Sequence, residues 1–415
     1  MGTPKMSELN AVPIAIAGAG ATGLTLALCL AKMGHAVTLI GKPDVRVTGR
    51  AVSMFEGTKR LLKNISAWEL LEAHTAPLAT LRIIDDTGSL FRAPPASFQA
   101  RELGLEAFGS NIENWKLVKI LSEAAKASPM IHFIEDHVQS YDFKTDYVEI
   151  HLENGGELRS KLVVAADGFK SAAREAGQIA LKQWTYPQTA LTALLTHALP
   201  HNDISTEFHT RQGPFTTVAM APSHTAPHRS SLVWMMQPDR AQQLARLTPE
   251  ALAREIERQG QSCLGKIALE TPPHLVPMRG FTAERLTAPR LALIGEAAHV
   301  FPPIGAQGLN LGMRDVAHLA DCIDTALNTN RDPGAEALLK AYDHSRKADI
   351  KLRTNGVDLL NRSLLSEFLA VDVLRGAGML ALTNLAPLRR LVMSSGVMPR
   401  GTPPRLMREP AQVHA

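Results

Sequence analysis

The sequence predicts an α/β fold in which a parallel, nucleotide-binding sheet is interrupted by an antiparallel insert and followed by helices. Three observations carry this. An apolar run ends in Gly18-Ala-Gly-Ala-Thr-Gly23, and a helical pattern and a second apolar run follow it. Between about Trp184 and Pro277 the pattern changes to alternating segments. From Leu291 the strand-then-helix order returns, and helices continue to the end.

Pro13-Ile-Ala-Ile-Ala17 stops at Gly18, as a buried parallel strand does. Ala21 to Met33, rich in Leu and Ala, ends at Gly34 and reads as a helix with a C-terminal glycine. His35 to Ile40 is the next strand and completes a βαβ unit. A helix is expected from Trp115 to Ala127, then strands at Ile131–Ile134, Tyr147–Leu152 and Leu158–Val164. The insert offers strands at Thr189–Thr196, Phe215–Met220 and Ser230–Met236 and one helix near Pro249–Gln259. Residues 1–75, 111–182 and 278–335 are thereby assigned to the nucleotide-binding domain. Residues 76–110 and 183–277 are assigned to an antiparallel substrate domain, and 336–415 to a C-terminal helical region.

Composition excludes several classes of function. Of 415 residues 45% are apolar and 20% charged, which is ordinary for a globular chain and argues against disorder. The net charge of +4 comes with no concentrated basic run, so nucleic acid is not an expected partner. Cys29, Cys263 and Cys322 lie far apart, which leaves neither a zinc knuckle nor a dithiol pair; no metal is expected. A reducing, cytoplasmic setting fits such cysteine usage. Met1 to Asn10 lacks the apolar core of a signal peptide, and no run of 18 apolar residues suggests a membrane span.

Gly18, Gly20 and Gly23 follow a strand and open a helix, the context in which G-x-G-x-x-G cradles a pyrophosphate. Gly18 permits the turn, Gly20 lets phosphate approach, Gly23 lets helix and strand pack, and the helix N-terminus adds partial positive charge. The bland alternative is a turn whose glycines serve packing alone. About 20 residues on, where an acidic residue usually meets the ribose, stand Gly41, Lys42 and Pro43. Asp44 would have to reach back, or a basic residue there would favour a 2′-phosphate. Ala166-Asp167-Gly168 and Gly295-Glu296 far downstream favour a flavin instead, with a ribityl chain and a redox ring to support.

The glycine loop, Gly49-Arg-Ala-Val-Ser53, Ala166-Asp-Gly-Phe-Lys-Ser171 with Arg174, and Gly295-Glu-Ala-Ala-His-Val-Phe-Pro-Pro-Ile-Gly-Ala-Gln-Gly-Leu-Asn310 resemble the class A flavin monooxygenases. These are single-component FAD hydroxylases with the para-hydroxybenzoate hydroxylase fold. Ile112-Glu-Asn-Trp-Lys-Leu117, Trp184 to Ala190, Gly213-Pro-Phe215, Ser231-Leu-Val-Trp234 and Gly308 to Asp315 are similar to the ubiquinone-biosynthesis hydroxylases. The likeness runs from about Val12 to Met393. It implies a Rossmann-like FAD-binding domain with an inserted substrate sheet.

The resemblance gives roles to Gly18, Gly20, Thr22, Gly23, Arg50, Asn114, Asp167, Gly295, Glu296, Gly308, Leu309 and Asn310 in holding FAD. Arg50 would sit on the pyrophosphate, or be a surface arginine. Asn114 would stand near the flavin, or cap the helix before Trp115. Asp167 would organise the pyrophosphate region and a nicotinamide approach, or be a turn residue. Glu296 stands where the family more often has Asp, so its acceptor for a ribityl hydroxyl moves by about 1.5 Å. Amides of Leu309 and Asn310, opening a helix, would face the pyrimidine ring and stabilise the charge of reduced flavin. Pro303 and Gly305 would border the oxygen-activating side. His299 is open between core and flavin-side roles.

The implied chemistry is oxygen transfer from a C4a-hydroperoxyflavin to an electron-rich phenol, a cofactor reaction that needs a dry chamber and no catalytic triad. Met220, Trp234, Pro303 and Ile304 are the expected lining, with Met235 and Met236 further candidates; packing alone would place them equally. Tyr186 would assist a phenol proton or simply fill the sheet. The implied substrate is a polyprenylated phenol of ubiquinone biosynthesis, and the donor NAD(P)H or another reductant, such as a ferredoxin-type partner. Leu364 to Met393, apolar with Arg375, Arg389 and Arg390, would lie at a membrane surface or pack on the FAD domain. Peripheral contact with the inner membrane face and a quinone-biosynthesis complex are consistent with such a substrate. The rivals are a flavin reductase of a prenylated substrate and a non-catalytic flavoprotein scaffold. A halogenase is dismissed, since Trp68, Trp115, Trp184 and Trp234 form no Trp-x-Trp motif.

Overall fold

The computed structural model describes residues 10–88, 94–365, 378, 380–382, 384–398 and 402–409. The signal-peptide reading of the first residues and part of the Leu364–Met393 reading fall outside them.

The central strand is β1 (Asn10–Ala17), whose Ile14, Ala15 and Ile16 are fully buried because both faces of the sheet are covered. β2 (Val37–Ile40) and β11 (Glu157–Ala165) flank it in parallel. β8 (Ile131–Ile134) continues beyond β2, and β19 (Leu291–Leu293) beyond β11, also in parallel. β9 (Val138–Phe143), β10 (Val148–Leu152) and β18 (Thr287–Ala288) add antiparallel pieces to a sheet of eight strands among the described residues. Packed together beside this sheet are α1 (Ala21–Lys32), α4 (Asn114–Ala127) and α8 (Gln307–Asn328), which contribute Leu24, Leu121, Leu311 and Val316 to one core. Shorter helices α2 (Glu56–Asn64), α3 (Trp68–Leu71) and α5 (Ala172–Ala176) fill the connections.

A second sheet carries the insert. Its order is β20 (His299–Val300), β17 (His274–Ala283), β12 (Leu181–His197), β15 (Arg229–Met236), β14 (Gly213–Met220), β13 (Ile204–Thr210), β5 (Thr80–Asp85) and β6 (Ala96–Gln99). The short β16 (Ile267–Leu269) pairs with β12. A third, small sheet joins β3 (Ala51–Phe55), β7 (Gly109–Glu113) and β4 (Ala76–Pro77). The insert is wider than residues 183–277: β12 begins at Leu181 and β17 runs on to Ala283. Its register shifts between Thr185 and Thr189, which lets one long strand serve two pairings with β17.

The two faces of this sheet differ. Leu191, Phe208, Phe215, Leu232, Trp234 and Met236 point outward under α6 (Pro238–Ala245) and α7 (Pro249–Gln259). Tyr186, Ala190, Met235 and Met278 point inward, against Ile304 and against Val357 of α9 (Glu336–Leu365). Trp234 was expected to line the substrate pocket; strict alternation sends it to the outer face, where it meets Phe215 edge-on at 5.2 Å. Met235 takes the inward position instead, and Met236 joins Trp234 outside.

Candidate active site

The glycine loop is built by close backbone crossings. β1 and β11 end side by side, and Gly18 N donates to Ile40 O at 2.7 Å. Gly18 has φ +114°, and a Cβ there would lie 2.2 Å from Ala166 O. A Cβ on Gly23 would lie 2.0 Å from Gly18 O. Gly20 is different: its Cβ would meet nothing within 4 Å, and it sits at the N-cap of α1, whose first turn holds no acidic residue. That is the geometry of a cradle for phosphate. Gly41 explains the missing ribose acid. A Cβ there would come within 2.5 Å of Ala19 N, so the strand end is pressed against the loop and tolerates no side chain. Asp44 is committed to Arg46, by bonds of 2.8 and 2.6 Å.

The downstream motifs reach the same edge. Asp167 follows β11 directly behind Gly18 and accepts the Ala173 amide at 3.2 Å through Oδ2, while its buried Oδ1 has no partner. Burial pushes its carboxyl above the usual aspartate range against the pull of Ser171, the Ala173 amide and Arg174. Arg174 donates to Ala297 O and Phe169 O, both at 2.9 Å, and so ties this loop to the Gly295 loop. Gly295 (φ +58°) and Gly312 press on Thr22, with Cβ positions 3.0 and 2.8 Å from its Cγ2. Arg50 Nη2 stands 3.8 Å from Glu296 Oε1, both side chains half-exposed. Asn114 is the first residue of α4 and donates its amide to Arg50 O at 3.0 Å; the capping position belongs to Glu113. Gly20, Thr22, Arg50, Asn114, Asp167 and Glu296 therefore converge at the carboxyl ends of the parallel strands, where open α/β sheets bind ligands.

Pro302 and Ile304 are buried, whereas Pro303, Gly305 and Gly308 are exposed beside them. Gly305 and Ala306 both take left-handed backbone, at φ +63° and +52°, and turn the chain into α8. That helix starts at Gln307, two residues ahead of the expected Leu309. Asn310 is fully engaged. Its Oδ1 accepts from Phe55 N at 2.9 Å and Thr58 Oγ1 at 2.8 Å, and its Nδ2 donates to Ser53 O at 2.8 Å and Ala306 O at 2.9 Å. The side chain locks the helix start onto β3 and α2, so Asn310 itself has only its backbone left to face a ligand.

Sequence reasoning missed the charge network that supports this loop. Asp315 accepts from Gly295 N at 3.1 Å, His299 Nε2 at 2.7 Å and Arg346 Nε at 2.8 Å, with no exposure to solvent. Burial alone would raise its carboxyl; His299 and Arg346 outweigh that and hold it below the usual range. His299 is thus a scaffold residue, 2% exposed. Asp349 on α9 gathers Arg314, Arg346 and Arg353 at 3.2, 3.0 and 2.9 Å, and Arg353 Nη1 reaches Gln307 Oε1 at 2.6 Å. The spacing 346, 349, 353 on one helix face was the available signal. A second cluster, Glu113, Arg229 and Glu270, ties the insert sheet to the start of α4, with N–O distances of 3.1 and 2.7 Å.

Tyr186 lies on the inner sheet face. Its hydroxyl accepts from Trp184 Nε1 at 2.6 Å and donates to Asp358 Oδ1 at 2.7 Å. Burial and then Asp358 push its phenol well above the normal tyrosine value, so it keeps its proton and cannot act as a base. Met220, opposite Arg229 in the register, is buried on the face that Met235 shares. Among the described residues no cluster of three or more His, Cys, Asp or Glu could hold a metal ion. Nor is any helix there long and apolar enough to cross a membrane.

The donor set fits FAD: an empty space over Gly20, an arginine and a carboxylate at its rim, and an unpartnered buried Asp167 oxygen. Comparison with known proteins agrees. The profile of the FAD binding domain matches residues 11–354. The ubiquinone hydroxylase UbiL of Rhodospirillum rubrum is 32% identical over 405 residues, 95% of this chain and 92% of its own. The 3-demethoxyubiquinol 3-hydroxylase of Escherichia coli is 29% identical, with 91% of this chain and 96% of its own covered. The fold matches that of p-nitrophenol 4-monooxygenase PnpA from Pseudomonas putida at a TM-score of 0.76 and 18% identity, covering 93% and 98% of the two chains. A matched domain spanning most of the chain, and a relative similar end to end, leave one conclusion: the chain belongs to the FAD-binding-domain family of FAD-dependent monooxygenases.

Proposed function

We propose that this protein hydroxylates the ring of a polyprenylated phenol, a precursor of ubiquinone, with FAD as cofactor and NAD(P)H as electron donor. The observation that carries the reading is the position of the Pro302–Gln307 loop. It turns one side to the cofactor edge and buries Ile304 on the other, in the apolar cluster of Tyr186, Ala190, Met235, Met278 and Val357. Bound FAD supplies the activation of dioxygen. The chain's own residues do the rest. Gly20 and the start of α1 receive the pyrophosphate, and Arg50 leaves Glu296 to pair with it. Glu296, freed, accepts a ribityl hydroxyl. Backbone amides at the start of α8 stabilise negative charge on the ring beside them. The inner sheet face keeps water from the reacting ring, with Met235, Met220 and Ile304 as its lining and Pro303 and Gly305 at the border. Tyr186, held protonated, offers a hydrogen bond rather than a base. A lipid-soluble substrate places the protein at a membrane surface, alongside other enzymes of quinone synthesis.

Purified protein loaded with FAD, given NADH or NADPH, labelled dioxygen and a prenylated phenol, should yield product carrying one labelled oxygen. A deletion strain should accumulate a quinone precursor short of one oxygen atom. Normal quinone content without that precursor would sink the reading.

A further inference from the structure

We infer that the helix Ala386–Val397 docks on an anionic bilayer, with its outer face in the headgroup boundary beside the flavin loop. This gives a location to the membrane contact proposed above, and it stands on separate observations. Leu388, Leu391 and Val392 share one face of the helix, at 38%, 58% and 46% exposure, and Leu385 before its first turn is 54% exposed. A single exposed leucine means little, but three leucines and a valine within eight residues make an apolar stripe.

The opposite face is anchored. Met393 and Val397 are buried among Phe98, Phe108 and Ala306. Arg389 grips Glu102 at 2.6 and 2.7 Å and lies over the Phe98 ring at 4.8 Å. The stripe is therefore held outward by fixed contacts. The helix also sits on the start of α8. Arg353 donates to Ser395 O and to Gln307 Oε1, both at 2.6 Å, and a Cβ on Gly396 would be 4.0 Å from Gln307 Nε2. A lipid surface touching this helix therefore lies next to the loop that buries Ile304 in the apolar cluster of the inner sheet face.

Charge selects the occupant. Arg389 is paired with Glu102 and Arg405 with Asp321 and Asp324, whereas Arg390 lies exposed next to Leu391, and the sequence from Val373 to Arg408 holds no Asp or Glu. A basic, acid-free stretch with a narrow apolar stripe suits anionic lipid headgroups. A second protein copy would need about 20–30 residues a side for a stable interface.

The test is co-sedimentation of the full-length, FAD-loaded protein with vesicles of phosphatidylethanolamine and phosphatidylglycerol, against vesicles of phosphatidylcholine alone. The wild type should pellet with the anionic vesicles. The triple variant Leu388→Ser, Leu391→Ser, Val392→Ser should lose at least about tenfold in partitioning, with flavin content and melting temperature unchanged. Equal binding of wild type and variant overturns the inference. So does a wild type that stays in solution with both vesicle types, or a wild-type dimer that the variant dissolves. Hydroxylation of a short-tailed, water-soluble phenol, measured in parallel, reports on the proposed chemistry alone: its absence would sink the hydroxylase reading and leave the vesicle result standing.

Discussion

Three glycines in one hexapeptide do two different jobs, and the space around each tells them apart. A methyl group on Gly23 would run into Gly18 O at 2.0 Å, a backbone atom that cannot move aside. Gly23→Ala should therefore destabilise the apoprotein by about 3 kcal/mol, visible as a lower urea midpoint with or without FAD. On Gly20 a methyl group meets open space. Gly20→Ala should leave the apoprotein midpoint unchanged within about 1 kcal/mol and weaken FAD binding at least tenfold, read by flavin fluorescence titration. An unchanged affinity would mean that the pyrophosphate lies elsewhere. Gly41 belongs with Gly23: its role is to let the loop sit down on β2, and that role displaced the acidic residue a ribose contact would use.

At the scale of elements, α8 is the piece that joins cofactor edge to core. Asn310 pins its start to β3 and α2, and Asp315, five residues on, holds the Gly295 loop, His299 and α9 together. Asp315→Asn leaves Arg346 buried with one fewer counter-charge, a change that costs about 3–5 kcal/mol. Urea unfolding followed by circular dichroism should show that loss, and a cost under about 1 kcal/mol would mean that Asp349 alone satisfies Arg346. How legible such elements are in sequence varied with their pattern. α4 and α7 were readable from their helical pattern within a residue or two, because each buries one apolar stripe, and α1, buried almost all round, from its Leu- and Ala-rich run up to Gly34. β13, Ile204-Ser-Thr-Glu-Phe-His-Thr210, was not: its polar residues are buried by neighbouring strands, and no local signal reports that. Trp234 shows the same limit, since a strand's alternation is visible in sequence but the side on which the site lies is not.

The molecule as a whole should be acid-sensitive in two steps. His318 has its imidazole pushed down to about 4, by burial first and by Arg346 next. The unfolded chain therefore binds the proton more readily, and stability falls as pH drops from about 6.5 to about 4. Asp315 and Asp349 are held below the usual carboxylate range by His299 and their arginines, which outweigh burial. Their contribution is complete above about pH 4 and lost as pH falls further. Asp167, raised by burial, works in the opposite direction: its penalty is relieved as pH falls towards about 4, so it softens the first step. Melting temperatures between pH 8 and 4 should decline with an inflection near 5–6 that His318→Asn weakens, the remainder belonging to His197, whose imidazole burial also pushes down; a profile unchanged by that substitution would assign the step to another group.

Residue order was enough for the βαβ start, the interruption of the parallel sheet by an antiparallel insert, the cofactor motifs and hence the family. Each of these rests on short-range facts: a glycine that only a tight crossing needs, a period of 2 or 3.6, a run that ends in a turn. Tertiary structure alone decided that Arg50 faces Glu296, that Asn310 spends its side chain on scaffolding, that His299 serves Asp315, and that Met235 rather than Trp234 looks inward. These are relations between segments up to hundreds of residues apart. They depend on which face of each element the packing turns inward, and residue order fixes that only through the fold.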